Sequence, residues 1–277
     1  MVSSTDCKSA VKRLWWFDSI SPHHLIFFIL LFFITGCAKH NKDDKAHNDL
    51  GSGDKSNIPV TLTSLIEHAK YCKAIYDSGG NQKDEVAFEV KQVDGISIIV
   101  IRGTANDANV LSDVDVRLVS DVRLGIRLHK GFRDAAINVM QIIDTSTTTG
   151  RNTIQGQTLT YPLEQTVHVT GHSLGGAVAQ IIGMWLHKRG KNVQVYSYGS
   201  PKVSDQVLSG GQPTHWRVVR RSDPIPFTPP WPYRHTGLFI DSQDLDWGAD
   251  NDNGLISETD GLDHAIAKYV ETLSALK

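Results

Sequence analysis

Of the 277 residues, 40% are hydrophobic and 21% charged, and the formal net charge is −2. Such a balance builds one or two globular domains with a full-sized core. It argues against a nucleic-acid partner, since no basic cluster stands out beyond Arg220-Arg221 and Lys188-Arg189, which mark the ends of a predicted strand and a predicted helix. Three cysteines, Cys7, Cys37 and Cys72, are too few for a disulfide framework.

Residues 1–24 carry Lys8, Lys12 and Arg13 and precede ten consecutive apolar residues, Leu25 to Ile34. A bilayer span needs about 20, so this run has the length of a signal-peptide core instead. Ile34-Thr35-Gly36-Cys37 then resembles the lipobox of bacterial lipoproteins. That resemblance implies cleavage before Cys37, lipidation of its thiol and acylation of the new N-terminus. Ala38, rather than aspartate, in the next position implies the outer membrane of the cell envelope by the enterobacterial pattern. An ordinary secretory or inner-membrane route, or an uncleaved anchor with Trp15-Trp16-Phe17 at the interface, are the alternatives. Ala38 to Asn57 is polar, broken by Gly51-Ser52-Gly53 and without apolar periodicity, which reads as a flexible tether. Its r.m.s. span is roughly 25 Å, from about 5–6 Å times the square root of length. His40 and His47 lie among lysines and aspartates and read as solvated. The expected division is a signal peptide over 1–36, a lipidated cysteine and tether over 37–57, and a folded domain over 58–277.

Ser64-Leu65-Ile66-Glu67 has the pattern of a capping box, and Leu65, Ala69, Cys72 and Tyr76 then share one helical face. Cys72 on that face reads as a buried core residue with no base or metal partner. Glu85 to Val93 and Ile96 to Ile101 read as strands joined by a hairpin at Asp94-Gly95. The second ends in Arg102-Gly103-Thr104, and the carboxyl end of a sheet strand is where α/β proteins place their sites. Thr104 can therefore supply an oxyanion-hole N–H. Ala105 to Ser112 reads as a short flap with little apolar content. Val114–Leu118 and Val122–Leu128 read as extended, a helix opens at His129-Lys130-Gly131-Phe132, and Thr145 to Thr160 reads as a threonine-rich loop.

Val167 to Ala177 runs Val-His-Val-Thr-Gly-His-Ser-Leu-Gly-Gly-Ala. An apolar strand enters a glycine-flanked serine, and a helix with apolar residues at Ala177, Val178, Ile181, Ile182, Trp185 and Leu186 follows. A serine on a sharp strand-to-helix turn needs small residues two positions to either side, and Gly171 and Gly175 supply them. The helix N-terminus points free N–H groups, Leu174 first, at the place where negative charge develops in acyl transfer. Strands at Val193–Tyr198 and Trp216–Val219 follow, each ending in a loop: Gly199-Ser200-Pro201 and Ser222-Asp223-Pro224-Ile225-Pro226. A final helix covers Ala265 to Leu276.

A serine hydroxyl needs a histidine to take its proton and a carboxylate to orient that histidine. α/β-Hydrolases carry these in the chain order Ser, Asp, His. Ser173 and Asp223 fit, with His264 or His235 completing the set. Here the chain resembles the class 3 lipases, over most of residues 60–275. The residues that carry the likeness are Ile101-Arg102-Gly103-Thr104, His129-Lys130-Gly131-Phe132, Gly171 to Ala177, Tyr198-Gly199-Ser200-Pro201, Asp223-Pro224-Ile225-Pro226 with Pro229-Pro230, and Asp263-His264 with Tyr269. The resemblance implies an α/β-hydrolase fold with a mostly parallel central sheet flanked by helices. It assigns Ser173 as nucleophile, Asp223 as acid, His264 as base, and Thr104 and Leu174 as oxyanion donors. The histidine at the place of His235 is structural in that family. His129 and His172 read as packing and hydrogen-bonding near the site.

Two departures stand out. Lys202-Val203-Ser204 replaces the arginine-valine-glycine of many relatives, and the flap lacks their bulky aromatic. The implied activity is hydrolysis of acylglycerols or related lipid esters without a cofactor. Phospholipase A1 or acyltransferase chemistry on the same residues is an alternative, as is a catalytically silent lipid- or partner-binding surface lipoprotein. No metal is expected: counting back from Gly254 puts Ala249 at the first ligand position of a would-be calcium loop.

Overall fold

The computed structural model describes residues 60–78, 81–83, 86–103, 116–149, 152–154, 157–159, 162–206, 211–248 and 264–277. The expected signal peptide, Cys37, the tether, Thr104, the flap over 105–112 and the acidic stretch 249–254 lie outside them.

Helix α1 (Leu62–Ser78) opens the domain. Its N-cap is Thr61 rather than Ser64: the Thr61 Oγ1 accepts the Ser64 N–H at 3.1 Å, and the Thr61 carbonyl accepts the Leu65 N–H. Ser64 instead donates its hydroxyl to Tyr196. A capping motif read from sequence is displaced here by another acceptor three residues upstream.

Strands β1 (Asn81–Lys83), β2 (Val86–Val93) and β3 (Ile96–Ile101) form an antiparallel meander. The Asp94-Gly95 turn between β2 and β3 has both residues at positive φ, 48° and 76°, the requirement of a tight primed turn. Strands β4 (Leu118–Asp121) and β5 (Ile126–His129) make a separate hairpin leading into helix α2 (Lys130–Thr149). Strands β6 (Asn152–Ile154) and β7 (Gln157–Leu159) form a second hairpin. The threonine-rich run is thus not a loop: its first residues extend α2, and the rest pairs as strands, where β-branched threonine and isoleucine fit well.

Strand β8 (Thr166–His172), helix α3 (Leu174–Lys188) and strand β9 (Asn192–Tyr198) form a central β-α-β unit with parallel strands, followed by β10 (Thr214–Val219), β11 (Leu238–Asp241), β12 (Trp247–Gly248) and helix α4 (Ile266–Ala275). The main sheet runs β1-β2-β3-β8-β9-β10-β11-β12, with β3, β8, β9, β10 and β11 mutually parallel. Parallel strands are covered on both faces. On one face α2 and α3 pack on Ile99, Ile101, Val167, Val169, Val193 and Val195. On the other, α1 and α4 pack on Tyr196, Tyr198, Trp216, Val218 and Ile240.

The second face carries a polar seam. Alternate residues of β8 meet every fourth residue of α1: His168 Nδ1 lies 3.1 Å from His68 Nε2, Thr170 Oγ1 lies 3.2 Å from Cys72 Sγ, and His172 Nδ1 lies 2.9 Å from Tyr76 Oη. Four helical residues rise about 6 Å and two strand residues about 6.6 Å, so three successive rungs stay in step. The last rung stands beside Ser173.

Candidate active site

β8 ends and α3 begins on Ser173, at φ 58° and ψ −132°. A positive φ at a non-glycine residue stores strain that surrounding structure must hold. The clamp is visible at the glycines: a Cβ on Gly171 would stand 2.2 Å from the Gly175 carbonyl oxygen, and one on Gly175 would stand 2.3 Å from the Ile101 carbonyl oxygen. Both are backbone contacts with nowhere to go, so the small flanking residues are required by geometry. The Ser173 N–H is tied to the Tyr198 carbonyl at 2.9 Å. Gly103, at the end of β3, closes the third side, where an added Cβ would come within 3.2 Å of Ser173 Cβ.

Asp223 stands in the loop after β10, and His264 just before α4. His264 Nδ1 donates to Asp223 Oδ2 at 2.7 Å. The same oxygen accepts the Tyr269 hydroxyl at 2.6 Å, and Asp223 Oδ1 accepts the Ile225 N–H at 2.9 Å. Tyr269 is the one strong hydrogen-bond donor to the acid that composition and spacing alone do not reveal. Burial and the neighbouring carboxylate push its phenol well above the ordinary range.

Because Nδ1 of His264 carries the donated proton, Nε2 of the neutral ring is a bare acceptor. Both His264 Nε2 and Ser173 Oγ are buried without a hydrogen-bond partner among the described residues. A buried hydroxyl and a buried imidazole nitrogen left unpaired are costly in a core and expected where chemistry uses them. Ser173, Asp223 and His264 have exposures of 0%, 0% and 3%, so charges that arise here are screened little by water. Leu174 heads α3, whose first-turn N–H groups lack carbonyl partners within the helix.

His235, the other histidine after Asp223, is not part of this group: its Nε2 donates to the Pro226 carbonyl, and burial, aided by nearby Arg217 and Lys202, keeps it neutral. His129 stacks on Phe132 with ring centres 3.9 Å apart at the start of α2. His172 lies beside His264, as its expected packing and hydrogen-bonding place requires, with ring centres 4.6 Å apart. Among the described residues no group of three or more His, Cys, Asp or Glu side chains is arranged to hold a metal ion.

A strained serine at a strand-to-helix elbow, with an Asp-oriented histidine at the same rim of a parallel sheet, defines the α/β-hydrolase fold. Residues 98–233 match the family model "Lipase (class 3)". The secreted mono- and diacylglycerol lipase 1 of Fusarium solani is 32% identical over 162 residues, covering 54% of this chain and 45% of that protein. A lipase of Rhizomucor miehei is 30% identical over 195 residues, covering 64% and 50%. The chain thus spans about half the length of these curated relatives. In three dimensions it is similar to the Rhizomucor miehei triacylglyceride lipase, with a TM-score of 0.56 and 24% identity over 78% of this chain and 95% of that one. The Lip2 lipase of Yarrowia lipolytica gives a TM-score of 0.56 at 19% identity, over 80% and 96%.

Proposed function

We propose that the protein is a serine carboxylester hydrolase cleaving acylglycerols or related lipid esters through an acyl-enzyme. The carrying observation is the pair of buried, unpartnered atoms Ser173 Oγ and His264 Nε2, with Asp223 fixing the histidine tautomer. The lipase identity of the relatives above supports a lipid ester as substrate.

In this reading Ser173 Oγ attacks the ester carbonyl carbon while its proton passes to His264 Nε2. The C–O bond to Ser173 forms, and the carbonyl π pair moves onto oxygen. The Leu174 N–H, and by the sequence reading the Thr104 N–H, receive that oxyanion. Collapse expels the alcohol, which takes the proton from His264. A water molecule then attacks the acyl carbon as its proton passes to the same nitrogen, and collapse breaks the acyl–Oγ bond, returns that proton to Ser173 Oγ and releases the carboxylic acid. The Asp223 carboxylate stabilises the imidazolium formed in each half. We further place this chemistry at a lipid surface of the bacterial cell envelope, with Cys37 lipidated and residues 38–57 as tether.

The test is Ser173→Ala against short- and long-chain p-nitrophenyl esters, with fluorophosphonate labelling of the wild type. Hydrolysis is expected to fall by at least about 10³-fold, the scale of losing a nucleophile, and the label to map to Ser173. Full activity in Ser173→Ala, or no hydrolysis of any acyl ester by the wild type, overturns the reading. Lipid product profiling separates hydrolysis of acylglycerols from phospholipase A1 or acyl transfer.

A further inference from the structure

We infer that His172, held by Tyr76, is a positioning residue that seats the proposed base through its main chain. The inference rests on the triad reading above and goes beyond it. His172 is the last residue of β8 and directly precedes Ser173, so its backbone cannot shift without moving the elbow. Its imidazole bridges α1 and the residue that leads into α4, two elements that also share an apolar core. The Tyr76 hydroxyl of α1 donates to Nδ1 at 2.9 Å, and Nε2–H donates to the His264 carbonyl at 2.6 Å. Only the Nε2–H tautomer satisfies both contacts, because Nδ1 must accept and Nε2 must donate.

The ring is 1% exposed, and burial first, then the nearby His264, holds its pKa well below the ordinary histidine value. His172 therefore stays a neutral donor and does not compete for the proton that His264 is proposed to carry. Tyr76 is itself confined: a Cβ on Gly103 would lie 2.6 Å from its hydroxyl. One donor direction runs through the whole set. Tyr76 donates to His172, His172 to the carbonyl of His264, and His264 to Asp223, which Tyr269 also feeds.

His264 sits at the start of α4, and its ring contact with Asp223 fixes only one end of the side chain. A ring free to swing about Asp223 misplaces Nε2 relative to Ser173. The His172 bond fixes the other end, at the backbone, and it does so from the residue adjacent to the nucleophile. Nucleophile and base are thereby referenced to one another through one hydrogen bond and one peptide unit. Nearby misplacement on the scale of 1 Å costs about 10²-fold in rate.

The experiment uses the full chain with His172→Phe, His172→Gln, His172→Asn and Tyr76→Phe, assayed on a soluble short-chain ester for kcat and KM, with fluorophosphonate labelling rates and thermal midpoints. His172→Phe is expected to lower kcat about 10²-fold with KM nearly unchanged. The Gln amide nitrogen occupies the place of Nε2 and restores most of the loss. The Asn amide reaches only the place of Nδ1 and does not. Tyr76→Phe lowers kcat less, in the same sense. If His172→Phe does not fold, the Gln–Asn contrast and Tyr76→Phe decide. Wild-type kcat in His172→Phe, equal impairment of Gln and Asn, or losses confined to KM or thermal midpoint overturn the inference. A wild type that neither hydrolyses esters nor takes the label overturns the triad reading, and this inference with it; an active wild type with indifferent His172 variants overturns this inference alone.

Discussion

Asp223 is a wholly buried carboxylate whose solvation is replaced by three donors: His264 Nδ1–H, Tyr269 O–H and Ile225 N–H. Hydrogen bonds to a charged group contribute about 1.5–3 kcal/mol each, more than neutral pairs. Tyr269→Phe keeps the ring against Tyr198, 6.2 Å between centres, and deletes only the hydroxyl. The thermal midpoint is therefore expected to fall by about 5 °C, at roughly 2–4 °C per kcal/mol for a domain of this size, and kcat on soluble esters to drop while KM holds. Scanning calorimetry and steady-state kinetics check both, and an unchanged midpoint rules out the hydroxyl as a support of the acid. At this scale the sequence was most informative about Ser173, Asp223 and His264, because chain order and flanking small residues reflect steric and chemical requirements that are local. Tyr269 stood only as a companion in a motif, without a partner. The link from Tyr76 to His172 spans 96 positions, and no spacing rule in a single chain couples them.

The seam between α1 and β8 sets a pH limit on the fold. His68 is buried on that seam, its Nδ1–H on the Ser64 carbonyl at 2.8 Å, and burial pulls its pKa down to about 4. On β10, His215 pairs with Ser197 and is pulled down to about 3 by burial and nearby Arg217. Above the ordinary value of 6.5 both rings are neutral folded and unfolded, and they contribute nothing to pH dependence. Below it the unfolded chain takes up protons that the folded rings refuse, so stability falls progressively from pH 6.5 down to about 4 for His68 and about 3 for His215. Urea unfolding at pH 7.5, 6.0, 5.0 and 4.5 (about three units across the ordinary histidine pKa) is expected to show this decline. His68→Phe, which keeps the stack on Tyr196, is expected to flatten part of it; a profile with the same slope as wild type assigns the loss to other groups. Strand and helix bounds were legible within a residue or two wherever apolar periodicity was strong, as in β3, β8 and α3. They failed where another local acceptor or strand pairing decides: Thr61 rather than Ser64 caps α1, and the threonine run first extends α2 and then pairs as β6 and β7.

Across the whole chain, the parallel order β3-β8-β9-β10-β11 gathers the loops bearing Ser173, Asp223 and His264 at one rim of the sheet, the arrangement that chain order Ser, Asp, His predicts. The proposed location rests on a different segment. Among the described residues no helix is long and apolar enough to cross a bilayer. The proposed attachment is chemical instead: acyl chains on Cys37 bind a bilayer at about 0.8 kcal/mol per buried CH₂, and more than one chain is needed for stable anchoring. In this proposal residues 38–57 act as the tether, with an expected span of about 25 Å r.m.s., and the domain meets esters of the same lipid surface. Cys37→Ser is therefore expected to abolish metabolic labelling with palmitate and to release the protein from the membrane fraction. Hydrolysis of soluble short-chain esters is expected to persist, since the substitution lies outside residues 58–277. Activity on lipid dispersed in the membrane is expected to fall, because the local concentration supplied by the tether is lost. Label that persists on another residue, or membrane association unchanged in Cys37→Ser, overturns the proposed lipidation of this cysteine.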